Sequence, residues 1–137
     1  MNKKRNNELI KLADDTLRAY PRMFNGGNIP ETYDGKTAAL SVSVAMSDLL
    51  PTLAIYFQDY DSKHPDKPCK RHVLEVVARM ATKPNTNEKF ESAEALLRYS
   101  IKNPQNLKNF MKDLKKEIIE CSIALKQVVR TYNLVQS

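Results

Sequence analysis

The sequence predicts an all-α protein: a single domain over residues 1–137, built as a bundle of about five helices, the last a long heptad helix. Three observations carry this. Apolar residues recur at three- and four-residue spacing in each candidate segment, the period of one helix face. Three glycines in 137 residues and an aromatic content of 7% are too little for the turns and strands of a sandwich or barrel. From Pro104 to about Gln136 no Gly or Pro interrupts Leu107, Met111, Leu114, Ile118, Cys121, Leu125, Val128, Tyr132 and Val135. Their alternating four- and three-residue steps form a continuous heptad seam.

The first helix is expected from about Asn7 to Tyr20, with Leu9, Ala13, Leu17 and Tyr20 on one face. Pro21 ends it, Asn25-Gly26-Gly27-Asn28 is a turn, and Ile29-Pro30-Glu31 reads as loop. Residues 33–60 carry two patterns. Leu40-Ser41-Val42-Ser43-Val44 alternates like a half-buried strand, but Leu49, Leu53, Tyr56 and Phe57 continue at helical spacing. No turn residue separates the two patterns, and no second alternating segment exists to pair with a strand. The reading is one long helix from about Tyr33 to Asp59, with no strand in 39–47. It bends near Pro51, where an interior proline removes a hydrogen bond and crowds the preceding turn. Asp61 to Pro68 is a charged linker. A third helix follows from about Cys69 to Ala81 on Val73, Val76, Val77 and Met80, and Lys83-Pro84-Asn85-Thr86-Asn87 breaks it. The fourth covers Phe90 to Lys102 on Phe90, Ala93, Leu97 and Ile101. Asn103 as cap and Pro104 at the first helical position open the fifth.

The longest apolar run, Val44 to Phe57, contains Asp48 and Pro51 and falls short of the roughly 20 residues of a membrane span. The basic start, Met1 to Arg5, leads into Asn6, Asn7 and Glu8 rather than an apolar stretch, so no signal peptide is expected. Two distant cysteines make no disulfide framework, and a cytoplasmic location without a membrane partner is the expectation.

Catalytic chemistry finds little support. His64, Cys69 and His72 are the one cluster of plausible metal ligands, but a tetrahedral site needs four. Cys121 belongs to the heptad seam, and Asp61 and Asp66 lie in a linker interrupted by Pro65 and Pro68. Cys69 with His72 as a nucleophilic pair lacks a base-orienting carboxylate and an oxyanion site. The turn at Asn25 to Asn28 lacks the Lys-Ser/Thr ending of a phosphate-cradling loop. Asp14-Asp15, Glu91 and Glu94 have no matching carboxylates on another helix. The expectation is a protein that is not an enzyme, with no metal, cofactor or small-molecule substrate.

Charge is more informative. The net charge is +6, and residues 64–137 hold fourteen basic against eight acidic side chains, while residues 33–63 hold two against four. An anionic partner would therefore meet the second half of the chain. On a helical projection Lys108, Lys112, Lys115, Lys126 and Arg130 fall within about 60° of one another, a stripe about 33 Å long. The seam lies about 120° away, and Asp113, Glu117 and Glu120 cluster on a third side. The stripe is expected to run along nucleic-acid phosphates; the bland alternative is a solvated face. Ile119 and Ile123 interrupt it and are expected to meet another protein or helix. A second basic group, Lys67, Lys70 and Arg71, stands at the start of the third helix, where cations oppose the helix dipole, which favours an external role.

Residues 29–57 resemble a known family. Ile29-Pro30-x-x-Tyr33-x-Gly35, followed at a fixed interval by Leu49-Leu50-Pro51-x-Leu53-Ala54-x-Tyr56, is similar to the small α-helical subunit of type III-B CRISPR effector complexes, the Cmr complexes. Leu40-Ser41 stands where a Phe-Gly pair is common in that family, and Asp48 replaces the glycine before Leu49. The matching residues are packing residues. The resemblance implies a non-catalytic subunit that packs on the other subunits of the effector and helps hold the guide and target RNA in antiviral defence. The competing reading is a helical protein–protein module that homodimerises through the heptad seam and binds no nucleic acid.

Overall fold

The computed structural model describes residues 2–103 and, from 108 to 136, the backbone throughout and the side chains from Met111 onward. The expected helix start at Pro104 and the Leu107 seam position lie outside the described residues. Helix α1 (Lys3–Arg18) begins before its apolar stripe does, because the Asn2 side chain accepts the Arg5 N–H at 2.8 Å and caps the first turn. Leu9, Ala13 and Leu17 are buried as spaced. A 3₁₀ turn at Pro21–Met23 follows. Asn25 and Asn28 then exchange backbone hydrogen bonds around Gly26 (φ 59°) and Gly27 (φ 85°). Two successive left-handed residues are what this tight turn requires, and glycine adopts them without strain.

Ile29 and Pro30, expected as loop, instead form β1 (Ile29–Pro30), which pairs in parallel with β2 (Leu134–Val135). Ile29 N–H reaches Asn133 O at 3.0 Å and Glu31 N–H reaches Val135 O at 2.7 Å. A two-residue strand without alternation leaves no periodic signal, and its partner is more than a hundred residues away.

The long second helix is two. Helix α2 (Thr32–Met46) ends at Ser47, and α3 (Leu49–Gln58) restarts with Asp48 extended and its carboxylate accepting Leu49 N–H at 2.7 Å. The expected bend at Pro51 is thus a break three residues earlier, for a physical reason. An uninterrupted helix would drive the proline ring against the Ser47 carbonyl and strand a backbone acceptor. Restarting at Asp48 places Pro51 in a first turn, where no N–H is needed. Residues 39–46 are helical, with Tyr33, Thr37, Leu40, Ser41 and Val44 on the buried face of α2. The alternation of residues 40–44 yields to that longer stripe.

Helix α4 (Lys70–Met80) and α5 (Ala93–Lys102) match the third and fourth expected helices closely. Asp59 starts α4: its carboxylate accepts Lys70 N–H at 2.8 Å. Ser92 caps α5 through Ala95 N–H at 3.0 Å, and Glu75 Oε1 takes the Ala93 N–H at 3.0 Å. Helix α6 (Lys108–Val129) stops well before Gln136. Tyr132 keeps the heptad interval but lies beyond the helix, edge-on to Phe24 at 5.4 Å and donating to Asp14 Oδ1 at 2.7 Å. Val135 likewise continues the interval from within β2. Both obey the apolar spacing without the helix it suggested.

Helix α4 is the hub, touching α1, α2, α3, α5 and α6, and α6 also packs against α1 and α2. The described seam, Leu114, Ile118, Cys121, Leu125 and Val128, is buried against these helices, with Met111 packed at its edge. The seam that invited a second copy is occupied by the chain's own helices. Among the described residues no helix is long and apolar enough to cross a membrane.

Candidate nucleic-acid interface

The described members of the basic stripe differ in exposure and in partners. Lys112 is exposed, and Lys115 and Lys126 are half-buried; the side chain of Lys108 lies outside the described residues. Arg130 is exposed but engaged, its Nε 2.6 Å from Asp34 Oδ1 in the first turn of α2. Such an exposed pair contributes at most about 1 kcal/mol, yet it commits Arg130 to α2. Ile119, expected to meet a partner, packs on this chain's own core, whereas Ile123 is half-buried outside it.

The three members of the second basic group differ in setting. Lys67 is exposed in the linker. Lys70 places Nζ 5.3 Å above the Tyr56 ring. Arg71 stacks its guanidinium 3.9 Å from the Phe57 ring centre and 4.4 Å from that of Tyr60, and its Nε donates to Phe57 O at 2.6 Å. Arg71 thereby clamps the linker onto the end of α3. The cations at the start of α4 are tolerated because the Asp59 carboxylate supplies the negative charge a helix N-terminus favours.

His64, Cys69 and His72 do not form one cluster. His64 is exposed and the other two are buried. Burial raises the Cys69 thiol above its ordinary value, which suppresses the thiolate a nucleophile needs. The Cys69 N–H donates to Tyr33 Oη at 3.3 Å. His72 has both ring nitrogens engaged: Nε2 lies 2.8 Å from Pro65 O and Nδ1 2.7 Å from Tyr20 Oη. A carbonyl only accepts, so Nε2 carries the proton and Nδ1 accepts the tyrosine hydroxyl. Burial pushes Tyr20 up to about 12, so the hydroxyl keeps its proton for this bond. Among the described residues no group of three His, Cys, Asp or Glu is placed to hold a metal ion.

Burial also lowers the His72 pKa below 6.5. A lowered histidine means that the unfolded chain binds the proton first as pH falls. Stability should therefore hold above about pH 7, decline as pH drops below the unfolded value near 6.5, and level off beneath the folded value. Urea unfolding at about pH 7.5 and about pH 5.5 checks this. His72→Gln, which keeps a donor and an acceptor, should flatten the difference; equal pH slopes in parent and variant would contradict it.

Two polar features escaped the sequence reading. Glu117 pairs through Oε1 with Arg5, accepts Thr82 N–H through Oε2 at 2.9 Å, and lies 3.8 Å from Cys121 Sγ. Glu120 adds a second carboxylate 3.7 Å from Arg5. The acidic side of α6 is thus an internal tie to α1. The other is Arg71, Glu75 and Arg79, which follow one another at four-residue steps on α4 with Arg22 nearby; this spacing was a legible signal. Comparison with family models, curated proteins and solved structures finds no match to this chain.

Proposed function

We propose that this protein is a non-catalytic helical subunit of an RNA-guided type III-B CRISPR effector of the Cmr kind, acting in the cytoplasm. It packs on the effector's backbone subunits and helps hold the guide and target RNA. The observation that carries this reading is the behaviour of the family-like segment as one packing unit. Ile29, Tyr33, Leu49, Leu53 and Tyr56 are all buried. Tyr33 Oη accepts Cys69 N–H, and Tyr56 Oη donates to Lys36 O at 2.9 Å. The departures from the family pattern are accommodated: Leu40 fills the core and Asp48 starts α3.

The second reading, a module that binds protein and no nucleic acid, draws on the outer face of the same two helices. Val42 (54% exposed), Met46 (82%) and Ile55 (57%) present apolar surface there, of the kind that marks partner contacts. Purifying the tagged protein from its host at low salt and sequencing the co-purified RNA and proteins separates the two. Guide RNA together with effector subunits is the expected result. Protein partners without RNA would support the second reading and overturn the first.

The stripe is tested in the assembled complex. Changing Lys112, Lys115 and Lys126 together to Gln, and sparing the Asp34-bound Arg130, should leave stability within about 0.5 kcal/mol of the parent. RNA retention should drop, and the log–log salt slope should become shallower by about two. Sequence preference should not change, because phosphate contacts position a strand without reading it. An unaltered salt slope would mean that the stripe is a solvated face.

A further inference from the structure

Three arginines from two parts of the chain converge on one cleft. A cavity of about 370 Å³ lies between the segment after α1, the linker before α4, and α4 itself, lined by Tyr20, Arg22, Tyr60, Arg71, Glu75 and Arg79. Arg71, Glu75 and Arg79 share a face of α4 by their four-residue spacing. Two of the guanidiniums stand over aromatic rings: Arg71 3.9 Å from the Phe57 ring centre and 4.4 Å from that of Tyr60, and Arg79 5.0 Å from the Tyr20 ring centre. A cation–ring contact uses no N–H donor in a hydrogen bond, so it does not exhaust the five that each guanidinium carries.

Few of those donors are used. Arg71 makes its Nε bond to Phe57 O, Arg22 Nη1 donates to Tyr60 Oη at 3.3 Å, and Arg79 Nη2 reaches Glu75 Oε2 at 3.3 Å. Arg79 Nε is buried with no hydrogen-bond partner among the described residues. The single carboxylate that lines the cleft is engaged on both oxygens: Glu75 Oε1 accepts Ala93 N–H and Oε2 accepts from Arg79. Asp66 shares the adjacent cavity with Arg22 rather than lining this one. Three guanidiniums therefore line the cleft with one carboxylate, an excess of positive charge and of hydrogen-bond donors.

We propose that this cleft binds a phosphate group. A planar carboxylate is satisfied by one guanidinium fork, whereas the tetrahedral oxygens of phosphate accept from several forks at once. Glu75 and the rings pre-position the arginines, which lowers the entropy cost of binding. The volume exceeds that of the anion itself and admits its ester substituents. The phosphate is either a phosphodiester of RNA, a source that rests on the function proposed above, or free phosphate.

The isolated full chain is tested with two probes, inorganic phosphate and a short single-stranded oligouridylate with hydroxyl ends. Phosphate should raise the melting temperature above that in chloride of equal ionic strength. Arg22→Gln, at an exposed position, should abolish that rise. Arg71→Lys, which keeps the charge and loses the fork, should reduce it. Oligouridylate affinity should fall roughly tenfold in Arg22→Gln if RNA is the source; a phosphate response with unchanged RNA affinity supports the site and assigns it to free phosphate. Identical melting in phosphate and chloride, with RNA affinity unchanged in both variants, overturns the proposal. The two readings fail separately. A host purification without RNA removes the effector function and leaves a phosphate response intact, while loss of the cleft leaves the stripe and the effector function standing.

Discussion

Leu125→Asp should abolish cooperative folding. Leu125 is fully buried in the α6 seam, among side chains that offer a carboxylate no cation. An unpaired buried charge costs several kcal/mol, comparable with the roughly 5–15 kcal/mol that hold a domain together. The expected result is a loss of the urea transition and of thermal cooperativity, read by circular dichroism. Leu125→Ala supplies the quantitative version: a transition that survives, weakened by about 2–5 kcal/mol through lost transfer energy and a cavity. Leu114→Asp should behave like Leu125→Asp, since Leu114 is buried on the same seam. If the aspartate variants melt like the parent, the seam faces outward and the packing of α6 described above is wrong.

Glu117→Ala is the polar counterpart, with an expected loss of about 2–4 kcal/mol. Three groups depend on this carboxylate: the Arg5 guanidinium, the Thr82 N–H and the Cys121 thiol. Truncation leaves the first two short of an acceptor, and orphaning a partly buried donor costs about 1–3 kcal/mol, more for a charged one. Glu120, 3.7 Å from Arg5, softens the loss of the ion pair. Burial raises the Cys121 thiol, helped by the neighbouring Glu117 charge, so the thiol keeps its proton and loses a weak acceptor when the carboxylate is removed. Glu117→Gln keeps an acceptor for Thr82 and should lose about half as much. Urea midpoints at constant slope measure both variants. An alanine variant within about 0.5 kcal/mol of the parent would show that the link between α1 and α6 is not held by this residue.

What was legible in the sequence follows the range of the interactions. The stripes of α1, α4 and α6 depend on neighbours three and four residues apart, and Leu9, Val73 and Ile118 are buried where their spacing put them. The break between α2 and α3 was also local. An aspartate three residues before a proline is a helix start, masked here by the apolar stripe that runs on through Leu49 and Leu53. The end of α6 had no local sign. Tyr132 and Val135 sit at seam intervals, and only Phe24, Asp14 and β1, all from the first thirty residues, draw them off the helix. The basic stripe shows the same limit: its alignment is a property of one helix, but the pairing of Arg130 with Asp34 joins positions 96 apart. In the arginine cleft only the four-residue steps of Arg71, Glu75 and Arg79 were visible. Arg22 and the aromatic clamps arrive through tertiary structure.

The ties between the two ends of the chain also set the order in which it folds. Arg5 with Glu117, Asp14 with Tyr132, Asp34 with Arg130, and β1 with β2 all join the first 34 residues to the stretch beyond position 116. None can form until that later stretch has left the ribosome, which at about 5–20 residues per second is a delay of roughly 5–20 s. Helix α4 emerges earlier and offers α1 a provisional docking face. The strand edge of Ile29 and much of the apolar side of α1 stay uncovered meanwhile. Such surface is what chaperones recognise and what nucleates aggregation. Closure is therefore a late, non-local step with a large loop entropy. Changes near Tyr132 or Leu134 should act on the yield of folded protein during synthesis well before they alter the finished structure.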